Sequence, residues 1–204
     1  MDWTALALSV RLGLLTVALL VPLAFLLART LAYGRFRGRG FVEALVALPL
    51  ILPPTVLGYY LLVAFGRASP LGQAFEALLG RPLVFSFEGL LLASLLVNLP
   101  FAVQPMQNAL AAIPPSLRDA ARCCGLSPAA AVLTFAHTLG EFGVVLMVGG
   151  SIPGETRTIA IAIYDRVQAF DESAAGLMAL VLLSLSVVAL GVTNTLSRRM
   201  ARRS

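Results

Sequence analysis

The chain predicts an all-α integral membrane protein of about five transmembrane helices, and three observations carry that prediction. Of 204 residues, 59% are hydrophobic and only 12% charged, too apolar a balance for a soluble domain of this length. The apolar residues gather into stretches near the ~20 residues that cross hydrocarbon as a helix. All fifteen basic residues are arginines, and they cluster between those stretches.

The first stretch, Ala5 to Ala28, follows Met-Asp-Trp with no basic leader and no small-residue cleavage site, so it reads as a span and not a cleaved signal. The second runs from Phe41 to Phe65 and carries Pro49, Pro53 and Pro54. Each proline removes an N–H, leaving the Leu45, Pro49 and Leu50 carbonyls short of partners. In lipid that is tolerated only against protein or water, so this span should kink and face a bundle interior or a cavity. The third, Gly89 to Asn108, ends in the polar residues Asn98, Gln104, Gln107 and Asn108, suited to hydrogen bonds between helices. The fourth is Ala129 to Gly150 and the fifth Ala174 to Ser197. No linker, low-complexity run or internal repeat divides these residues, so 1–204 reads as one transmembrane domain.

Arginine placement orients the spans. Arg29, Arg35, Arg37 and Arg39 lie between spans one and two, Arg118 and Arg122 between three and four, and Arg198, Arg199, Arg202 and Arg203 after span five. Those segments should be cytoplasmic, which puts the N-terminus outside and the C-terminus inside. The net charge of +5 then serves topology and anionic lipid headgroups, not nucleic acid.

Span four is the most informative helix. At 100° per residue Thr134, His137, Thr138 and Glu141 share one polar stripe, while Ala129, Ala136, Gly140 and Gly143 form a small-residue side for close packing. Glu141 is ionisable at membrane depth, which makes it a functional candidate. Either it pairs with His137 one turn away or it contacts a passing solute. His137 is the single histidine, and no H-E-x-x-H, G-x-S-x-G or paired-aspartate pattern accompanies it, so no nucleophile or metal set assembles. Cys123 and Cys124 are adjacent and poorly placed to bridge.

The charged segment 115–128, P-S-L-R-D-A-A-R-C-C-G-L-S-P, reads as a docking element between spans three and four. Within it Asp119-Ala120-Ala121-Arg122-Cys123-Cys124-Gly125 resembles the E-A-A-x-x-x-G loop of ABC importer permeases, with Asp in place of Glu. Further stretches resemble the permease subunit of molybdate importers: Glu43-Ala44-Leu45, the run Leu48 to Gly58 through Pro53-Pro54-Thr55, Leu139-Gly140-Glu141-Phe142-Gly143, and Gly149-Gly150-Ser151-Ile152-Pro153-Gly154-Glu155-Thr156-Arg157. Together they cover nearly the whole chain in order.

The resemblance implies a permease of the MetI-like fold and no enzyme activity in this chain. It implies a homodimer around a central pathway, two ATPase subunits binding ATP and Mg beneath it, and a binding protein delivering the oxyanion at a bacterial inner membrane. Asp119, Ala120, Ala121 and Gly125 would dock the ATPase; Pro53, Pro54, Thr55, Thr134, His137, Thr138 and Glu141 are candidates for the pathway or its gate. Tungstate and sulfate permeases share a weaker version of the pattern. An intramembrane enzyme or a non-transporting scaffold is the different-class alternative.

One departure stands out. In the family the loop continues through a second amphipathic stretch, whereas here Gly125-Leu126-Ser127-Pro128 runs straight into Ala129-Ala130-Ala131. The remaining cytoplasmic helix, 116–124, would be only about 13 Å long. The expectation is a shortened coupling loop and weakened coupling.

Overall fold

The computed structural model describes residues 1–112 and 128–201, the side chains of 128–130 and 192–201 excepted. The docking residues Asp119, Ala120, Ala121 and Gly125 lie outside the described residues, as do Arg118, Arg122, Cys123 and Cys124.

Every described element is helical. Helix α1, Trp3–Tyr33, opens on Asp2, whose carboxylate accepts the Ala5 N–H at 2.9 Å, satisfying one of the free donors of a first turn. Its buried residues Leu12, Thr16, Leu20, Ala24, Ala28 and Leu31 recur at three- and four-residue spacing, one face of a helix. That face packs chiefly against α5, Phe87–Ala111, so α1 and α5 form the central pair.

Between them in sequence lie α2 (Arg39–Ile51), α3 (Pro54–Phe65) and the short external α4 (Pro70–Leu79). After α5 come α6 (Pro128–Gly140), α7 (Gly143–Gly149), α8 (Ile159–Gln168) and α9 (Glu172–Ala201). Val46 of α2 joins the α1–α5 core at one end, around Leu31, Val103 and Met106. Leu61 and Phe65 of α3 join Leu83, Val97, Val144 and Val148 toward the other.

Three single helices, α1, α5 and the 172–191 part of α9, are long and apolar enough to cross a membrane; the count reaches five if α2–α3 and α6–α7 are each one bent span. The expected kink in span two is a turn of 113°. Two consecutive prolines explain its size. Leu52 precedes Pro53 and Pro53 precedes Pro54, and a residue before proline is pushed out of the helical region. Both take extended backbone, ψ 137° in each case, and the helix stops for two residues before Pro54 restarts it.

Span four also differs from the continuous helix expected of it. It breaks after Gly140 and bends by 64°, with Phe142 at φ −118° and ψ −52°. No proline marks this break.

Outside the spans, α8 packs Ile159 and Ala162 against Ala5 of α1 and Met178 of α9. Its start is tied to α1 by the Ile159 N–H, which donates to the Ser9 hydroxyl at 2.8 Å. Arg157 and Ser151 both engage the Asp165 carboxylate, at 3.2 and 2.9 Å. These contacts hold the 151–158 turn against the bundle. The loop is therefore held at its ends by Ser151 and Arg157, while Ile152, Pro153, Gly154 and Glu155 stay exposed.

Candidate translocation site

The two breaks meet. Gly143, first residue of α7, lies so close to the first residue of α3 that a Cβ built on it would stand 2.8 Å from the Pro54 Cβ. One turn along α3, a Cβ on Gly58 would stand 2.8 Å from the Met147 Cβ and 3.2 Å from the Val144 Cα. Half-helices α3 and α7 thus run in backbone contact, which only glycine allows.

On one side of this junction Pro53, Pro54 and Thr55 are exposed. The Pro53 carbonyl accepts the Val56 and Leu57 N–H groups, at 2.9 and 3.1 Å. The carbonyls of Leu45, Pro49 and Leu50 have proline four residues on and therefore no N–H to receive at that position.

On the other side lies a buried polar chain. Thr16 of α1 donates to the Ser94 hydroxyl at 3.1 Å. The Asn98 amide, fully buried, donates to the Ser94 carbonyl at 2.8 Å. Its Oδ1 sits 3.1 Å from His137 Nδ1; with the amide nitrogen already donating to Ser94, that contact requires the proton on Nδ1. The imidazole stacks on Phe101, ring centroids 4.0 Å apart. Glu141 is 8% exposed and its Oε1 accepts the Val144 N–H at 3.1 Å, an N-terminal cap for α7.

The stripe expected from 100° spacing is therefore divided. His137 Nε2 and Glu141 Oε2 are 3.9 Å apart, beyond hydrogen-bond length. Each has a nearer partner, Asn98 for the imidazole and the Val144 N–H for the carboxylate. Thr138 donates to the Thr134 carbonyl at 2.8 Å, and the fully buried Thr134 hydroxyl has no hydrogen-bond partner among the described residues.

Sequence reasoning assigned Asn98 only a place in a polar helix end; its partner is thirty-nine positions away, and no local spacing could have joined them. Serine and threonine at Ser94 and Thr16 were equally silent. Among the described residues no group of three His, Cys, Asp or Glu converges as a metal set would.

Asn98 gives a direct check on this chain. Asn98→Leu leaves the His137 Nδ1–H buried without an acceptor, which should cost about 1–3 kcal/mol. Asn98→Gln keeps both an acceptor and an amide donor there and should lose less. Thermal unfolding in detergent reads the difference, and equal melting temperatures for wild type and Asn98→Leu would refute the hydrogen bond.

No family model matches the chain. Individual relatives do. The chain is 45% identical over 191 positions to the molybdenum transport system permease protein ModB of Azotobacter vinelandii, covering 83% of each. It is 32% identical over 215 positions to ModB of Escherichia coli K12, covering 97% of this chain and 94% of that one. It is also similar to the sulfate transport system permease protein CysT of Salmonella typhimurium, 33% identical over 195 positions that cover 87% of this chain and 70% of the relative. Identity at this level over nearly the full length, on an all-helical membrane architecture, places the chain in the molybdenum transport system permease family, as a transport subunit and not an enzyme.

Proposed function

We propose that this chain forms, with a second copy of itself, the pathway of an ATP-driven importer for a tetrahedral oxyanion, molybdate first. Two copies of a separate ABC ATPase dock on the cytoplasmic side through Asp119, Ala120, Ala121 and Gly125, and an extracytoplasmic binding protein delivers the anion from the other side. The N-terminus lies outside and the C-terminus in the cytoplasm of a bacterial inner membrane.

The observation that carries this reading is the meeting of two broken helices at Pro54 and Gly143. Interrupted backbone at membrane depth persists only where protein or a water-lined cavity receives it. The exposed residues Pro53, Pro54 and Thr55, beside carbonyls that proline has deprived of donors, fit the wall of such a cavity between two copies. Thr134, Thr138, His137 and Glu141 stand behind that wall: Glu141 holds the restart of α7 and His137 locks α6 to α5.

The pathway passes its solute without gripping it. Arg11, the one arginine inside the 5–28 span, stacks over the Phe87 ring at 4.5 Å. A dianion held tightly would need converging cations, so selectivity falls to the binding protein. The sulfate relative supports the second reading, a sulfate or tungstate permease of the same mechanism.

Co-purification with the candidate ATPase, followed by ATP hydrolysis with loaded binding protein, tests the reading. The expected result is a stable complex whose hydrolysis rises with molybdate-loaded binding protein. Stimulation by sulfate-loaded protein alone selects the second substrate. Absence of any complex would return the scaffold reading to the front.

A further inference from the structure

The outer faces of α1 and α5 enclose an apolar groove of about 420 Å³. Leu23, Leu26 and Leu27 of α1 form one wall and Leu95, Leu96 and Leu99 of α5 the other. Thr30 closes one end and adds no polar demand, because its hydroxyl donates to the Leu26 carbonyl at 2.8 Å. A groove of this kind within two membrane-crossing helices takes a hydrocarbon chain.

The end of the groove at Thr30 is where the free positive charge sits. Arg29 adjoins Thr30, and Arg35 and Arg37 follow just beyond the end of α1, all exposed. Between them the Phe36 ring lies 3.3 Å from the Cβ position of Gly34. Arg29, Arg35 and Arg37 have no ion pair among the described residues. Five other arginines among the described residues are paired: Arg39 with Glu43, Arg67 with Glu76, Arg81 with Glu88, Arg157 with Asp165 and Arg166 with Asp171; Arg11 lies over the Phe87 ring.

We infer that this groove is a binding site for an anionic phospholipid, with an acyl chain along Leu23, Leu26 and Leu96 and the phosphate at Arg29, Arg35 and Arg37. Guanidinium groups bind phosphate through paired N–H donors, and basic pockets beside transmembrane helices are suited to acidic headgroups. A second copy is the poorer occupant. A twofold contact through this patch would set the same three arginines against their own counterparts, with no carboxylate between them. The site depends on one end of the bundle and not on which leaflet that end occupies, so it stands or falls separately from the transport reading.

The test uses the full-length chain in nanodiscs of phosphatidylcholine with a minor fraction of phosphatidylglycerol, extracted into detergent, the retained phospholipid being counted by mass spectrometry. The expected result is retained phosphatidylglycerol enriched about five- to thirtyfold over its share, as one or two arginines near an anionic surface give. The triple variant R29Q/R35Q/R37Q should lose the enrichment, and Leu96→Trp, which fills the groove, should lose the retained lipid. Circular dichroism and elution volume confirm that both variants are folded. Equal retention of the two lipids by the wild type, enrichment unchanged in the triple variant, or retention unchanged in Leu96→Trp would each overturn the site. So would a lipid-free dimer cross-linked through position 96, which would make the groove a contact between copies.

Discussion

Gly58→Leu should lower the melting temperature sharply and abolish uptake, the largest effect expected of any single substitution among the described residues. The Cβ position at Gly58 stands 2.8 Å from the Met147 Cβ and 3.2 Å from the Val144 Cα. The first neighbour is a Cβ fixed to the backbone and the second is backbone itself, so both move only with α7. Forcing a leucine between them drives α3 from α7, and overpacking of a tight contact costs about 1–3 kcal/mol. Because that contact also sets where the two breaks meet, transport should suffer beyond the loss of stability. Gly58→Ala should be milder, and Met147→Gly in the same chain should recover part of its loss, because only glycine there removes the Cβ that stands 2.8 Å away, a coupling that a double-mutant cycle measures. Gly58→Leu with unchanged melting and unchanged uptake would mean that α3 and α7 do not touch in the membrane.

Lengthening the segment after Pro128 should raise, by on the order of tenfold, the ATP hydrolysis that loaded binding protein stimulates, about the effect of one recovered docking contact of ~1.4 kcal/mol. The motif from Asp119 to Gly125 is followed at once by Pro128-Ala129-Ala130, where the family pattern has a second amphipathic stretch. A short element presents less surface to the ATPase, and an isolated helix of two to three turns is marginal in water. Gly125→Trp marks the opposite limit and should prevent ATPase association while leaving membrane insertion intact. Stimulation that does not change on lengthening would show the short loop to be sufficient.

The fold was legible in the sequence wherever one helix decides its own fate. Span lengths follow from apolar runs, and α1, α5 and α9 fall where those runs lie. The proline pair at Pro53-Pro54 announced a disturbance in span two, although its size, 113°, follows from two successive residues each barred from the helix. The break at Glu141 was not legible. Gly140 and Gly143 suggest only a packing face, and the residue between them that matters is a glutamate whose carboxylate replaces a missing helical acceptor.

The candidate site divides the same way. The residue types at Thr134, His137, Thr138 and Glu141 marked the right helix, but the periodicity assumed continuity. The His137–Glu141 proximity survives at 3.9 Å, and the nearer partners, Asn98 for the imidazole and the Val144 N–H for the carboxylate, lie where spacing along one helix does not reach.

By itself, then, the sequence determined the membrane class, the apolar runs and the family pattern, because each rests on local composition or on order along the chain. Tertiary structure alone decided that the two breaks coincide at Pro54 and Gly143 and that Asn98 orients His137. Those are distances between residues far apart in sequence, and packing sets them only when the helices come together.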